Sequence, residues 1–308
     1  MDALVRSLLQ ASPPDTDAAA TWRAATQCAR DAFSIPVDRA LVGGAHSDRL
    51  AFAFIAGYTE ALRALVPTAT DVMALCATEE GGAHPRAIRT TLARGELTGR
   101  KKWATGASSA AALLVVASTG HDPGGKNQLR VVRVAANAPG IRIVASAAPF
   151  VPEITHAEIE LDHVRVTDAD ILPGDGYEDY LKPFRTIEDA HVHAAVAGYL
   201  IGVARRRGWH DRIESLLALA LATREVALAD PKAATTHIAL AGVLSLAARE
   251  VAEVEARWAA TVTANAAVPD AASASDAEHA RWQRDRPLLQ VAAAARAARR
   301  ERAWQSLP

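Results

Sequence analysis

Cysteine is nearly absent from this 308-residue chain: Cys28 and Cys76 are its only two, far apart and without metal-type spacing. A disulfide framework is thereby excluded, and the usage fits a reducing compartment. Net charge is equally sparse. The 34 basic and 35 acidic side chains leave a formal −1, so no bulk basic field exists to draw in nucleic acid or anionic lipid, and neither is expected as a partner. Long apolar runs are missing too. The stretches 110–117 and 216–222 fall far short of the roughly 20 residues that span a bilayer. The acidic start Met1-Asp2-Ala3 lacks a basic region followed by an apolar core, so no secretory signal is read. These absences predict a soluble, cytoplasmic protein. No internal repeat breaks the chain into copies.

What is present is apolar bulk, 50% of residues, in a chain long enough to bury a large core. Its periodicity changes twice. From Asp2 to about Leu65 apolar residues recur at helical spacing, as in Ala19, Trp22, Ala25, Cys28 and Ala32, with breaks expected at Pro13-Pro14, Pro36 and Gly43-Gly44. From about Val72 to Val166 the runs are short and strand-like. Two of them, 111–118 and 129–135, flank Pro123-Gly124-Gly125 and read as a hairpin. Residues 158–162 alternate with period two, which predicts a strand with one wet and one buried face, and the whole region reads as mostly antiparallel sheet. Beyond Pro183 the pattern is helical again, over about 186–208, 211–229, 231–266 and 275–306. Breaks are placed at Gly208, Pro231 and a loop from Pro269 to Ser275, and four long helices predict a bundle. The class is α+β, organised as a short helical domain 1–72, a β domain 73–176 and a helical bundle 177–308.

One stretch carries more than periodicity. It runs through Thr78-Glu79, Gly81-Gly82 and Thr90-Thr91 to Gly99-Arg100-Lys101-Lys102-Trp103-Ala104-Thr105-Gly106, and closes in an apolar strand. That order of parts resembles the flavin-binding segment of the acyl-CoA dehydrogenase family. Two further stretches are similar to the family: the helix ending Ala64-Leu65-Val66-Pro67, and Leu161-Asp162-His163-Val164-Arg165-Val166 followed by Leu172-Pro173-Gly174. The similarity covers roughly residues 40–210 and is densest over 76–119. It implies the family's order of helical domain, antiparallel β domain and four-helix bundle. It also implies bound FAD, an acyl-CoA or related acyl thioester as substrate, and a homodimer or homotetramer built through the bundle, for which Ala241 to Val262 offers an apolar face.

A flavin needs one ring face against a flat apolar wall, the other left open, and hydrogen-bond donors at its polar edge. Trp103 can supply the wall. Thr105, two residues on along an extended chain, points to the same side and can reach the ring edge. The resemblance places Trp103, Thr105, Thr78, Ala77 and His84 at the flavin. Alternatives stand beside these readings, since a sheet tryptophan also serves core packing, a strand threonine is a good strand former, and Gly81-Gly82 suits any turn.

The chain also departs from the family. Its turn reads Thr78-Glu79-Glu80-Gly81-Gly82-Ala83-His84-Pro85 where members usually have Thr-Glu-Pro-x-Ala-Gly-Ser-Asp, so His84 and Pro85 replace the serine and aspartate. Arg205-Arg206-Arg207-Gly208-Trp209 stands about ten residues early for the Arg-x-x-Phe-Gly that holds the cofactor's pyrophosphate. Those arginines can bind phosphate, or simply complement the dipole of a helix end. The Tyr-Glu-Gly-Thr turn that carries the catalytic glutamate of many members is absent. Other members carry that base ten residues before a glycine on the first helix of the bundle, which here selects Glu188 ahead of Gly198. As a bland alternative, Thr186 resembles an N-cap and Glu188 a first-turn acid. Glu188-x-x-His191 has the spacing of a di-iron ligand pair, but no second such pair occurs, and no metal is expected. The leading expectation is FAD-dependent α,β-dehydrogenation with Glu188 as base. A flavin monooxygenase of the same fold and a scaffold that has lost its flavin are the alternatives.

Overall fold

The structure, a computed structural model, describes residues 1–13, 18–68, 71–146, 149–266 and 274–307. The chain divides into two compact units, one of residues 1–61 with 186–308 and the other of residues 62–185.

The first unit is helical. Its N-terminal part holds α1 (Asp2–Gln10), α2 (Ala18–Ala32), α3 (Pro36–Ala45) and most of α4 (Leu50–Leu65). Pro36 opens α3 at the position where a missing N–H costs nothing. Gly43-Gly44 does not break the chain as its composition suggests, but lies inside α3. The reason is packing against α5 (Lys182–Arg206). A Cβ on Gly44 would sit 1.9 Å from the Ala195 carbonyl oxygen, and one on Gly198 would sit 2.0 Å from that of Leu41. Glycine at both positions lets the two helices touch backbone to backbone.

The chain continues through α6 (His210–Leu228), α7 (Ala234–Ala266), α8 (Ala274–Asp285) and α9 (Ala293–Gln305). The expected single helix over 275–306 is therefore two, separated by a 3-10 turn Arg286–Gln290. Pro287 is the cause, because it has no N–H for the helical ladder and crowds the preceding turn. Most of the loop expected from Pro269 to Ser275 lies outside the described residues, as does Pro14. Helix α5 also begins earlier than its spacing suggests. A π-helical turn Gly176–Leu181, capped by the Asp175 carboxylate accepting from the backbone N–H groups of Tyr177 and Glu178, leads straight into it. Thr186 thus lies inside the helix and is no N-cap, and Glu188 is not a first-turn acid.

The second unit is a curled seven-stranded sheet in the order β1-β4-β2-β3-β7-β6, with β5 also on β4. The strands are β1 (Met73–Cys76), β2 (Thr91–Ala93), β3 (Glu96–Thr105), β4 (Ala112–His121), β5 (Asn127–Ala135), β6 (Ile141–Ser146) and β7 (His156–Arg165). The sheet is mixed rather than purely antiparallel, because β1 and β2 run parallel to β4. The hairpin β4–β5 and the alternation of β7 follow the sequence pattern, with Ala157, Ile159 and Leu161 buried in the core and Glu158 and Glu160 toward solvent. No helix among the described residues is long and apolar enough to cross a membrane.

Candidate functional site

The site begins with an irregularity in β3. Pairing with β7 runs Lys101↔Ile159 and Lys102↔Glu158, then resumes at Ala104↔Ala157, so Trp103 has no partner and is the extra residue of a β-bulge. Below it Leu97 and Lys101 are buried, and above it Ala104 is. The inward alternation has slipped by one residue, which expels the indole from the core. A bulge re-aims a side chain in this way. Trp103 is 54% exposed, with the Lys102 ammonium 5.5 Å from its ring centroid and itself 3.1 Å from Glu158. Thr105 is half-buried and shares the outward side with Trp103, since the residue between them points in.

The Thr-Glu turn is tied to this strand. Glu79 and Gly82 exchange backbone hydrogen bonds of 3.1 and 2.8 Å across a two-residue turn, with Gly81 and Gly82 at φ of +101° and +104° that side chains rarely adopt. The Lys102 N–H donates to the Thr78 carbonyl at 2.7 Å. The Glu79 carboxylate turns inward and accepts from the Lys101 ammonium at 2.6 Å and from the backbone N–H groups of Arg89 at 2.8 Å and Thr90 at 3.0 Å. Thr78 is therefore held one residue away from Trp103 in space. Ala77 is buried beside it, and His84 lies exposed with its ring Nδ1 accepting from the Arg86 N–H, capping a 3-10 turn over Pro85–Ala87.

Glu79 and Lys101 form a buried ion pair beside Thr78 and Trp103 that the motif by itself does not single out. A signal was there: Lys101 occupies an inward position of a strand, and a lysine there needs a buried anion. Burial pushes the Glu79 carboxyl up, but the hydrogen bond and charge of Lys101 and the two backbone donors outweigh it and hold it below its ordinary value. Burial likewise lowers the Lys101 ammonium, with Glu79 opposing the shift. A cavity of about 500 Å³ borders the turn, lined by Glu79, Glu80, Arg89, Arg100 and Lys102.

Within the sheet unit the structure thus gathers Ala77, Thr78, Trp103 and Thr105. Glu188 belongs to the helical unit, half-buried on α5, with Ala190, Ala194 and Ala195 buried on the same helix. Its neighbour Asp189 receives Arg296 at 3.1 Å and Arg299 from α9. His191 is buried with its Nδ1 against the Ile187 carbonyl at 2.8 Å, and burial lowers it to about 4. The arginine cluster is likewise spent inside the unit: Arg205 donates to the Ala11 carbonyl, and Arg206 and Arg207 hold Glu278 at 2.5 and 2.9 Å. Arg207 also stacks over Trp258. In the sheet, His163 is exposed and bonded to Glu96 at 2.9 Å, whereas His156 is half-buried.

No family model matches the chain. Over 133 residues, 41% of this chain and 33% of the relative, it is 30% identical to the probable acyl-CoA dehydrogenase YngJ of Bacillus subtilis (strain 168). The match thus spans about a third of that relative's length. Among solved structures, butyryl-CoA dehydrogenase from Megasphaera elsdenii superposes with a TM-score of 0.63 at 14% identity, covering 87% of this chain and 82% of that one. FMN-bound TdsC from Paenibacillus sp. A11-2, a dibenzothiophene monooxygenase, gives 0.69 at 16%, covering 100% and 98%. The prolyl acyl carrier protein oxidase AnaB gives 0.68 at 12%, covering 99% and 98%.

Proposed function

We propose that this chain, which has the acyl-CoA dehydrogenase fold, is a flavin-dependent oxidoreductase that introduces a double bond between the α and β carbons of an acyl thioester. The observation that carries the reading is the bulge at Trp103. It leaves an indole uncovered at the surface of the sheet, with a threonine hydroxyl on the same side and the Thr78 chain pinned alongside. A flat apolar wall next to hydrogen-bonding groups is what an isoalloxazine ring requires. Trp103 would form the wall, Thr105 and Thr78 would meet the polar edge, and Ala77 and His84 would border it.

A bound flavin supplies the acceptor for the hydride leaving the β-carbon. The protein's part is the α-proton, which passes to the Glu188 carboxylate as the C–H electron pair moves into the new double bond. A carboxylate held at that position is the general base the step requires. FAD is the expected cofactor, acyl-CoA or a related acyl thioester the expected substrate, and a homodimer or homotetramer the expected assembly.

A monooxygenase of the same fold is the second reading, and two observations favour it. TdsC, which binds FMN, is as similar to this chain as the dehydrogenase is. Arg206 and Arg207, one of whose two readings is a phosphate contact, are committed to Glu278, which suits a flavin without an adenylate half.

The purified protein decides between these. Visible flavin absorbance, bleached anaerobically by an acyl-CoA and no longer bleached in Glu188→Gln, supports the dehydrogenase. Bleaching only by an added reductant, followed by oxygen consumption, replaces it with the monooxygenase. A colourless protein that takes up neither FAD nor FMN leaves only the scaffold.

A further inference from the structure

The helical unit contains a concavity of about 700 Å³, within the range of small-molecule sites. Its floor is the stripe Val196, Ala197 and Leu200 of α5 with Leu219 of α6, all buried. Its sides are α7, through Leu244, Ala248 and Val251, and α9, through Ala293 and Ala297. The 3-10 turn at Pro287 separates α8 from α9, and α9 packs along α7 to form one side. At 100° per residue, Glu188 lies about 130° around α5 from this stripe, so the concavity is separate from the proposed catalytic carboxylate.

Its charged lining is lopsided. Arg286 is answered by Glu255 at 2.9 Å, and that carboxylate also accepts from the Trp282 indole at 2.7 Å. Arg296 shares the single carboxylate of Asp189 with Arg299. Arg300, exposed on the rim one turn from Arg296, makes no ion pair with a described residue. His193, at the Asp189 end, is held below its ordinary value by burial and adds no charge at neutral pH. The result is an apolar trough with an unanswered guanidinium at its mouth. Charge complementarity asks for one negative charge there, and the floor asks for hydrocarbon.

We infer that this trough binds a single amphipathic organic anion, a carboxylate carrying a medium-length aliphatic tail, with the tail on the Val196–Leu200 stripe and the carboxylate at Arg300. The test uses the full chain and decanoate below its micelle concentration, followed by titration calorimetry, with 1-decanol as the uncharged probe and sedimentation of the same samples. Wild type is expected to bind one decanoate. Arg300→Glu should weaken decanoate at least tenfold and leave decanol within twofold. Ala248→Trp, at an exposed position that tolerates bulk, should abolish both while leaving thermal unfolding unchanged. Absence of decanoate binding by wild type overturns the inference, as does equal binding by all three proteins. A wild-type dimer that Ala248→Trp converts to monomer without any decanoate uptake also overturns it, and assigns the trough to a second copy of the chain.

Discussion

The Lys101 ammonium lies 2.6 Å from Glu79 Oε1 with its side chain fully buried. This one contact joins the Thr-Glu turn to the strand that carries Trp103, and Lys102 adds the backbone bond to Thr78 at 2.7 Å. A charge placed in a sheet core is costly alone and tolerable when paired and hydrogen-bonded. The pair therefore acts as a positional clamp: it makes sense of a lysine at an inward strand position, and it sets the distance between two stretches of chain 22 residues apart.

Lys101→Met tests the clamp. It leaves Glu79 buried with only its two backbone donors, and loss of one member of a buried pair costs about 3–5 kcal/mol. Urea unfolding should show that loss, and retained flavin should be weaker because Thr78 is no longer fixed beside Trp103. The double variant Lys101→Met with Glu79→Gln should recover part of the stability. A loss under 1 kcal/mol in the single variant would show that the pair holds nothing.

Trp103→Ala separates wall from core. An indole this exposed contributes little to folding, so stability should change by no more than about 0.5 kcal/mol, while flavin absorbance falls or disappears. Calorimetric unfolding and the visible spectrum of the same sample check both halves. A destabilisation of 2 kcal/mol or more would make the tryptophan a packing residue.

His191 predicts an acid sensitivity. Its folded value of about 4 lies below the ordinary 6.5, so the unfolded chain takes up its proton first as pH falls, and stability is lost from about 6.5 downward until the folded form also protonates near 4. Between pH 7.5 and 5 that linkage amounts to about 2 kcal/mol. In His191→Gln the drop in unfolding free energy across this window should shrink by about that amount, measured by urea titration at both pH values. An unchanged drop would place the acid sensitivity elsewhere.

Trp103 shows why the site was half legible. Lys-x-Trp-x-Thr-Gly after a Thr-Glu turn named the segment, and the outward direction of Trp103 and Thr105 agrees with the burial of Ala104 between them. The bulge that produces this outward direction has no local mark, because it arises from how β3 registers against β7, 55 residues or so along the chain. An inward lysine signals a buried anion, but that Glu79 supplies it appears only when the Thr-Glu turn lies against β3. The arginines 205–207 suit either a phosphate or the dipole of a helix end, and only the fold shows Arg206 and Arg207 on Glu278 of α8 and Arg205 on the Ala11 carbonyl.

Taken alone, the sequence determined what short-range rules govern: helix, sheet and helix by their periods, the β4–β5 hairpin by its Pro-Gly-Gly loop, and the resemblance to the acyl-CoA dehydrogenase fold by the order of its small motifs. Only the tertiary structure decided which charges meet, where a strand slips register, and that Gly44 and Gly198 join helices instead of ending one. Periodicity reports how a residue faces its own element, whereas these outcomes depend on contacts between segments remote in the chain, where sterics and desolvation select one pairing among many.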